Sequence, residues 1–456
     1  MIKKTPISLA VLTALGSALI SVGAYATNGY FSNGVGTASK GVAGAGAAIG
    51  MDALSSGTNP AGMGLIGDRL DVGAALFFPT RGFTANSMWT GSPNPSPLDN
   101  APPIMGQAQG CPPSMCTGSP IPPGDYTSKN DIFLIPHFGY NKVLDDKSTI
   151  GISLAGNGGM NTEYDSDIFR NYNYPDPRFS SSWASSPTGI DLMQAWIGVP
   201  YTYKITPEHV LAIMPLVAIQ RLKVDGVEPF SLFSEHPDKV SNNGYDWSYG
   251  MGVRLGWIGN ISEMVSLGAS YQTRTWMSEF DKYKGLLAEH GDFDVPPTMQ
   301  LGVALKVIPD VTLLLDYQRI WYGDIKSMNN TNLMPMPIHL GDSEGLGFGW
   351  KDQDIFKVGA IWRVDPSLTL RTGYSYATAA FNGNQGLFNV LAPAVTKQHV
   401  SLGFTYGIDK NNEIGMSYTY ALKAKEFGEN AFLTGPQSGY LEMSQHDLEF
   451  NWGYRF

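Results

Sequence analysis

The chain ends His446-Asp447-Leu448-Glu449-Phe450-Asn451-Trp452-Gly453-Tyr454-Arg455-Phe456. Side chains of an extended strand alternate between two faces. Leu448, Phe450, Trp452, Tyr454 and Phe456 therefore share an apolar face, and Asp447, Glu449, Asn451, Gly453 and Arg455 a polar one. One such strand fits a half-buried soluble sheet, or an outer-membrane barrel with lipid outside and a polar lumen inside. The rest of the chain decides between them.

The same alternation recurs along the chain. Leu70, Val72, Ala74, Leu76 and Phe78 form one apolar face; Met299, Leu301, Val303, Leu305 and Val307 another. It returns in Phe356 to Val364, in Val400 to Ile408 and in Ile414 to Leu422. Repetition is far stronger evidence than one strand. Short polar turns fall at 145–147, 206–208, 260–262, 309–310, 365–367 and 409–411, where Asp, Asn, Pro and Ser favour turn geometry. Long segments alternate with them: 81–129, 161–189, 225–244, 278–296, 324–352, 381–396 and 425–443. Six short and seven long connections require fourteen strands with both ends on one side. The expected fold is all-β: a 14-stranded antiparallel transmembrane β-barrel over 68–456, carrying an N-terminal plug in its lumen.

Composition and the N-terminus agree with this. Net charge is −10 with 15% charged residues, so there is no basic tract for a nucleic-acid partner. After the N-terminus no apolar run is long enough for a spanning helix, but a barrel needs apolar residues only at alternate positions. Lys3 and Lys4, the apolar stretch Ile7 to Val22 and Ala24-Tyr25-Ala26 read as a signal peptide over 1–26. The two cysteines, Cys111 and Cys116, are then exported and are expected to close a small disulfide loop. Residues 27–67 differ from everything after them: rich in Gly, Ala and Ser, without alternation, suited to close backbone packing inside another structure.

This N-terminal segment, with Ser32 to Gly50 and Asn59-Pro60-Ala61 ahead of fourteen strands, resembles the FadL family of outer-membrane transporters for long-chain fatty acids and other hydrophobic compounds. The stretch Phe280 to Pro296 is similar to a loop of that family. The resemblance implies passive transport across the outer membrane of a Gram-negative bacterium. The ligand is captured by external loops, held in an internal pocket, and released past the plug, in part sideways through a kinked wall strand. Phe31, Asn59, Pro60 and Ala61 are the expected plug residues. Apolar residues on external loops suggest a capture groove made of Phe230, Leu232, Phe233, Phe280, Tyr283, Leu286, Leu287 and Phe293. A cap packed on itself is the other reading. Gly156, Gly158 and Gly159 are candidates for the wall kink, since strand glycines mark bulges; a strand ending before its loop is the alternative.

Fatty acids are the expected solutes, with aromatic or aliphatic hydrocarbons as the alternative; a general porin or a surface adhesin is a reading of another class. Arg254, Arg274, Asp316, Lys357, Arg363, Arg371, Glu449 and Arg455 are expected to face the lumen. Gly44-Ala45-Gly46 with Gly50 lacks the strand–turn–helix context of a dinucleotide loop, and the seven histidines show no metal-ligand spacing. No enzyme, cofactor or metal is expected. The expected partners are a hydrophobic ligand, outer-membrane lipid and lipopolysaccharide, and the barrel-assembly machinery, around a monomer.

Overall fold

A computed structural model describes residues 28–86, 121–170, 187–332, 339–432 and 437–456. The expected signal peptide and the Cys111 and Cys116 pair lie outside the described residues. One antiparallel sheet contains all the strands: β1 (Arg69–Ala85), β2 (Gly124–Thr127), β3 (Phe133–Val143), β4 (Ser148–Tyr164), β5 (Thr188–Gly198), β6 (Tyr201–Lys204), β7 (His209–Asp225), β8 (Asp246–Asn260) and β9 (Val265–Gln272). It continues through β10 (Trp276–Met277), β11 (Thr298–Ile308), β12 (Val311–Ile320), β13 (Gln353–Arg363), β14 (Leu368–Ala377), β15 (Gln398–Gly407), β16 (Asn412–Gly428) and β17 (Gly439–Arg455). Three wall strands are interrupted, as β2 with β3, β5 with β6 and β9 with β10, which leaves fourteen. The sheet closes because β1 pairs β17 from Arg69 opposite Arg455 to Ala85 opposite Gly439, and pairs β3 on its other side. Closure removes the sheet edges, which a lipid environment cannot satisfy.

The two faces fall as the alternation dictates. Leu402, Phe356, Trp362 and Phe450 are exposed to the outside, whereas Asp447 and Glu449 are buried. A spanning strand needs about 9–11 residues, yet β1, β4, β7, β16 and β17 have 17 each. They project past the bilayer on the long-loop side, so segments 81–129, 161–189 and 425–443 begin or end as strand rather than loop. Beyond the lipid, outward positions no longer need to be apolar; Lys423, Lys425 and Glu442 occupy them and the periodic signal fades.

Residues 28–66 fill the lumen, with short helical turns at Thr37–Gly41, Ser55–Gly57 and Pro60–Leu65. So irregular a segment can be buried only if its backbone polar groups find partners. The segment's own turns supply some, and the wall supplies others. Asp316 accepts from the amides of Gly46 and Ala47 (3.1 and 2.8 Å), and Asp71 from that of Ala53 (2.8 Å). Arg254 donates to Ser56 O (2.7 Å), Lys357 to Asn33 O and Gly44 O (3.3 and 3.1 Å), and Asn141 to Met63 O (2.9 Å). In return Lys40 reaches across to Asp447 and Glu449 of β17, 2.7 Å from each. The wall is also bare where the segment touches it: a Cβ on Gly268 would sit 2.0 Å from Ala47 O, and one on Gly256 2.2 Å from Asn59 Oδ1.

Removing one partner of a buried ion pair leaves a desolvated charge and costs about 3–5 kcal/mol. Lys40→Met is therefore expected to raise amide exchange across residues 36–47 while the unheated barrel migrates as before in a denaturing gel. Unchanged protection of that segment would contradict its docking through Lys40.

Candidate transport path

The apolar residues of the external loops converge on one buried cluster above the N-terminal segment. Phe230, Phe280, Tyr283, Leu286, Leu287 and Phe293 are buried in it, and Phe233 packs against it half-buried; Leu232 is half-buried as well. The exposed groove expected from these eight residues is thus not open. Apolar side chains from several loops cover one another, as burial worth about 25 cal/mol per Å² favours. Phe230 meets Phe169 and Phe388 edge-on, with centroids 5.0 and 5.4 Å apart. Tyr30 lies among Phe31, Tyr322, Trp350 and Phe293, with centroids 4.9 to 6.2 Å away.

Polar contacts hold this cap shut. The Tyr283 hydroxyl donates to Gly244 O (2.7 Å) and accepts from Val224 N (3.0 Å). Glu289 and His290 take left-handed φ values of 53° and 60°. Their amides donate to Asp342 O and Gly341 O (3.3 and 2.7 Å). Arg274 binds Asp292 at 3.1 Å and also Asp294, so this basic residue serves the loop. Burial, and then the neighbouring Asp294, push the Asp292 carboxyl up to about 7.

In the wall, the register of β4 against β5 shifts between Gly156 and Gly158. The strand continues to Tyr164, so it does not end at its glycines. Its pairing with β3 runs only from Phe138 opposite Leu154 to Val143 opposite Thr149. Farther out, Phe133 to His137 and Ala155 to Thr162 are not partners, and the sheet has a window. Lys129 N and Ser128 Oγ close it above through Glu163, at 2.9 and 3.0 Å. Ala75, Phe77, Ile135 and Met193 form a buried apolar cluster beside it, with Phe133 packed on it. The bulged edge of β4 pairs instead with the N-terminal segment: Phe31 bridges Gly158, Ser32 N donates to Asn157 O and Gly159 N to Tyr30 O (both 3.0 Å). A Cβ on Gly158 would sit 1.8 Å from Tyr30 O.

Phe31, Gly158 and Gly159, nominated separately from the sequence, are thus brought together, with Gly156 at the start of the bulge. Asn59, Pro60 and Ala61 are not part of that meeting point. Asn59 caps its helical turn through Ala61 N (3.1 Å) and ties it to Trp257 O (2.9 Å) and Ala47 O (2.7 Å). Tyr30, Tyr322, Trp350 and Phe388 were not singled out from sequence; the available signal was the density of aromatic residues in the non-alternating segments. A small cavity of about 40 Å³ beside Phe31 is lined also by Asn157, Arg254 and Lys357. It is far below the roughly 300–1,000 Å³ of a small-molecule pocket, so a solute must displace side chains to occupy this path.

The family described as Outer membrane protein transport protein (OMPP1/FadL/TodX) matches residues 233–447, a little under half of the chain. No curated protein matches it. Among solved structures the chain is similar to the P. putida toluene transporter TodX, at 17% identity over 93% of this chain and 99% of that one, with a TM-score of 0.65. The Ralstonia pickettii toluene transporter TbuX gives 16% identity, 93% and 99% coverage and a TM-score of 0.60. A Pseudomonas aeruginosa FadL homologue gives 14%, 94% and 100%, and 0.63. The chain thus matches the OMPP1/FadL/TodX family model over residues 233–447 and shares the β-barrel fold of these outer-membrane transporters over nearly its whole length.

Proposed function

We propose that the protein carries hydrophobic solutes passively across the outer membrane, with residues 1–26 as a cleaved signal peptide, 27–67 as the plug and 68–456 as the barrel. The observation that carries this reading is the window between β3 and β4, whose bulged edge is covered by the Tyr30 to Ser32 segment. A solute entering through the cap and displacing that segment reaches an apolar opening that faces lipid. The filled lumen argues against a porin. The aromatic end at Trp452, Tyr454 and Phe456 suits recognition by assembly machinery, and the outward basic and aromatic residues suit a lipopolysaccharide leaflet.

Long-chain fatty acids are the favoured solutes. Beside Phe31, Lys357 hydrogen-bonds the carbonyls of Asn33 and Gly44, and Arg254 bonds Ser56 O and the Gln272 side chain. Neither has a carboxylate within ion-pair distance among the described residues, so a solute carboxylate that replaces one of these carbonyls gains an unneutralised cation as its partner. Hydrocarbons are the second reading. The cluster around Tyr30 is predominantly aromatic, and two of the similar structures are toluene transporters.

Uptake by cells lacking other such transporters separates these. Deleting Asn157 straightens β4 and is expected to reduce uptake of oleate and toluene alike by about tenfold or more, the effect of some 1.4 kcal/mol. Undiminished uptake would remove the window from the path. Lys357→Met is expected to cost oleate about tenfold, as loss of a charged hydrogen bond does, and to spare toluene; the opposite selectivity would favour hydrocarbons.

The Asp292 carboxyl gives the cap a pH dependence. Its folded value near 7 lies above the ordinary 3.8, so its contribution is complete below about 4 and is lost as pH rises through 7. Amide protection of loop 278–296 is expected to fall between pH 5 and pH 8, and Asp292→Asn to flatten that dependence. A loop equally protected at both values in the native protein would contradict this latch.

A further inference from the structure

A large cavity lies at the opposite end from the cap, among the short turns, on the periplasmic side of the barrel. It measures about 860 Å³. Its rim carries Lys306, Arg363, Arg371 and Lys410, none of which has a carboxylate within ion-pair distance among the described residues. Arg371 donates from Nη1 to Thr405 Oγ1 (2.6 Å), but its Nε is buried without a partner. Two further arginines, Arg69 and Arg455, also line the cavity and share Glu413.

The acids nearby are mostly engaged. Asp365 accepts from the Ser367 and Leu368 amides (2.7 and 3.0 Å), and Asp409 from those of Asn411 and Asn412 (both 2.8 Å). Asp52, which attracts Arg371, accepts from Leu54 N at 2.9 Å. Asp310 is the remaining acid of the lining. The floor is of another character. The plug presents Ile49, Met51, Leu65 and Ile66 to the same space, and Leu65 is 40% exposed.

We propose that this vestibule is a binding site for an amphiphilic anion, with the cationic rim taking a carboxylate head and the apolar plug floor taking the tail. Charge-assisted hydrogen bonds from guanidinium and ammonium groups hold carboxylates well. An apolar floor has no use for a bare inorganic anion. The site gives a carboxylate-bearing solute a periplasmic station, distinct from the window to the lipid, and in this it rests on the fatty-acid reading above.

The test uses the whole barrel in zwitterionic detergent, a diazirine-bearing dodecanoate as probe, and mass-spectrometric mapping of the labelled peptides. Label is expected on 306–312 and 361–371, displaced by dodecanoate but not by dodecanol or inorganic phosphate. The triple variant K306Q/R363Q/K410Q changes only exposed side chains and is expected to lose that label at least about tenfold, the equivalent of 1.4 kcal/mol, while keeping label on the external loops. Label confined to the external loops would overturn the vestibule site and leave the transport reading standing. Displacement by phosphate as effective as by dodecanoate would show a simple anion site and overturn the amphiphile assignment. Label in the vestibule but not in the loops or window would support this site and count against capture by the cap.

Discussion

Everything in this molecule depends on keeping an irregular N-terminal segment inside a closed ring of strands. Helices and sheets meet their own backbone hydrogen-bonding needs; residues 28–66 do so only in part, through short turns such as those closed by Lys40 N to Gly36 O and Asn59 N to Ser55 O. Several of the remaining amides and carbonyls are met by single side chains projecting from the wall, from Asp71, Asn141, Arg254, Asp316 and Lys357. This explains why a membrane protein carries charged residues at depth: buried charges there are paired or hydrogen-bonded. It also explains the wall glycines at 256 and 268, where a side chain would push the segment away. A segment held by many separate polar contacts, without an apolar core of its own, is one that can shift locally while the barrel stays closed.

The same logic organises the two ends. On the external side aromatic and aliphatic loop residues cover each other and form a closed cap. On the periplasmic side the plug shows an apolar face to a polar, cation-rich vestibule. Between them the β4 bulge turns a few residues of wall over to the plug. Phe31 therefore belongs to two structures at once, the aromatic cluster and the edge of the sheet. Displacing it from one disturbs the other, and in the proposed route this links the cluster to the window.

Much of the fold was legible because lipid imposes a strict rule. Outward positions from Leu448 to Phe456 and from Phe356 to Val364 had to be apolar, and the short turns had to be polar. Where lipid ends, the rule ends, and the outer parts of β1, β4 and β16 were hidden for that reason. The site was legible only in pieces. The glycines at 156 to 159 announced a disturbed strand but could not name Tyr30 to Ser32 as the replacement partner, because the contact joins segments far apart in the chain. The composition of the loops announced an apolar surface without showing that Phe230 faces Phe388 and Phe169 instead of water. Tyr322, which donates to Asn28 O at 2.6 Å, gave no local signal at all.

The central claim is that the Tyr30 to Ser32 strand must leave β4 for a solute to pass. Ser32 and Asn157 are opposed in this pairing. In a chain with Cys111 and Cys116 changed to Ser, the pair Ser32→Cys and Asn157→Cys can be oxidised and reduced while uptake of labelled oleate is followed. The account predicts that uptake stops on oxidation and returns on reduction, with the barrel folded throughout. Uptake that continues with the tether closed would contradict it.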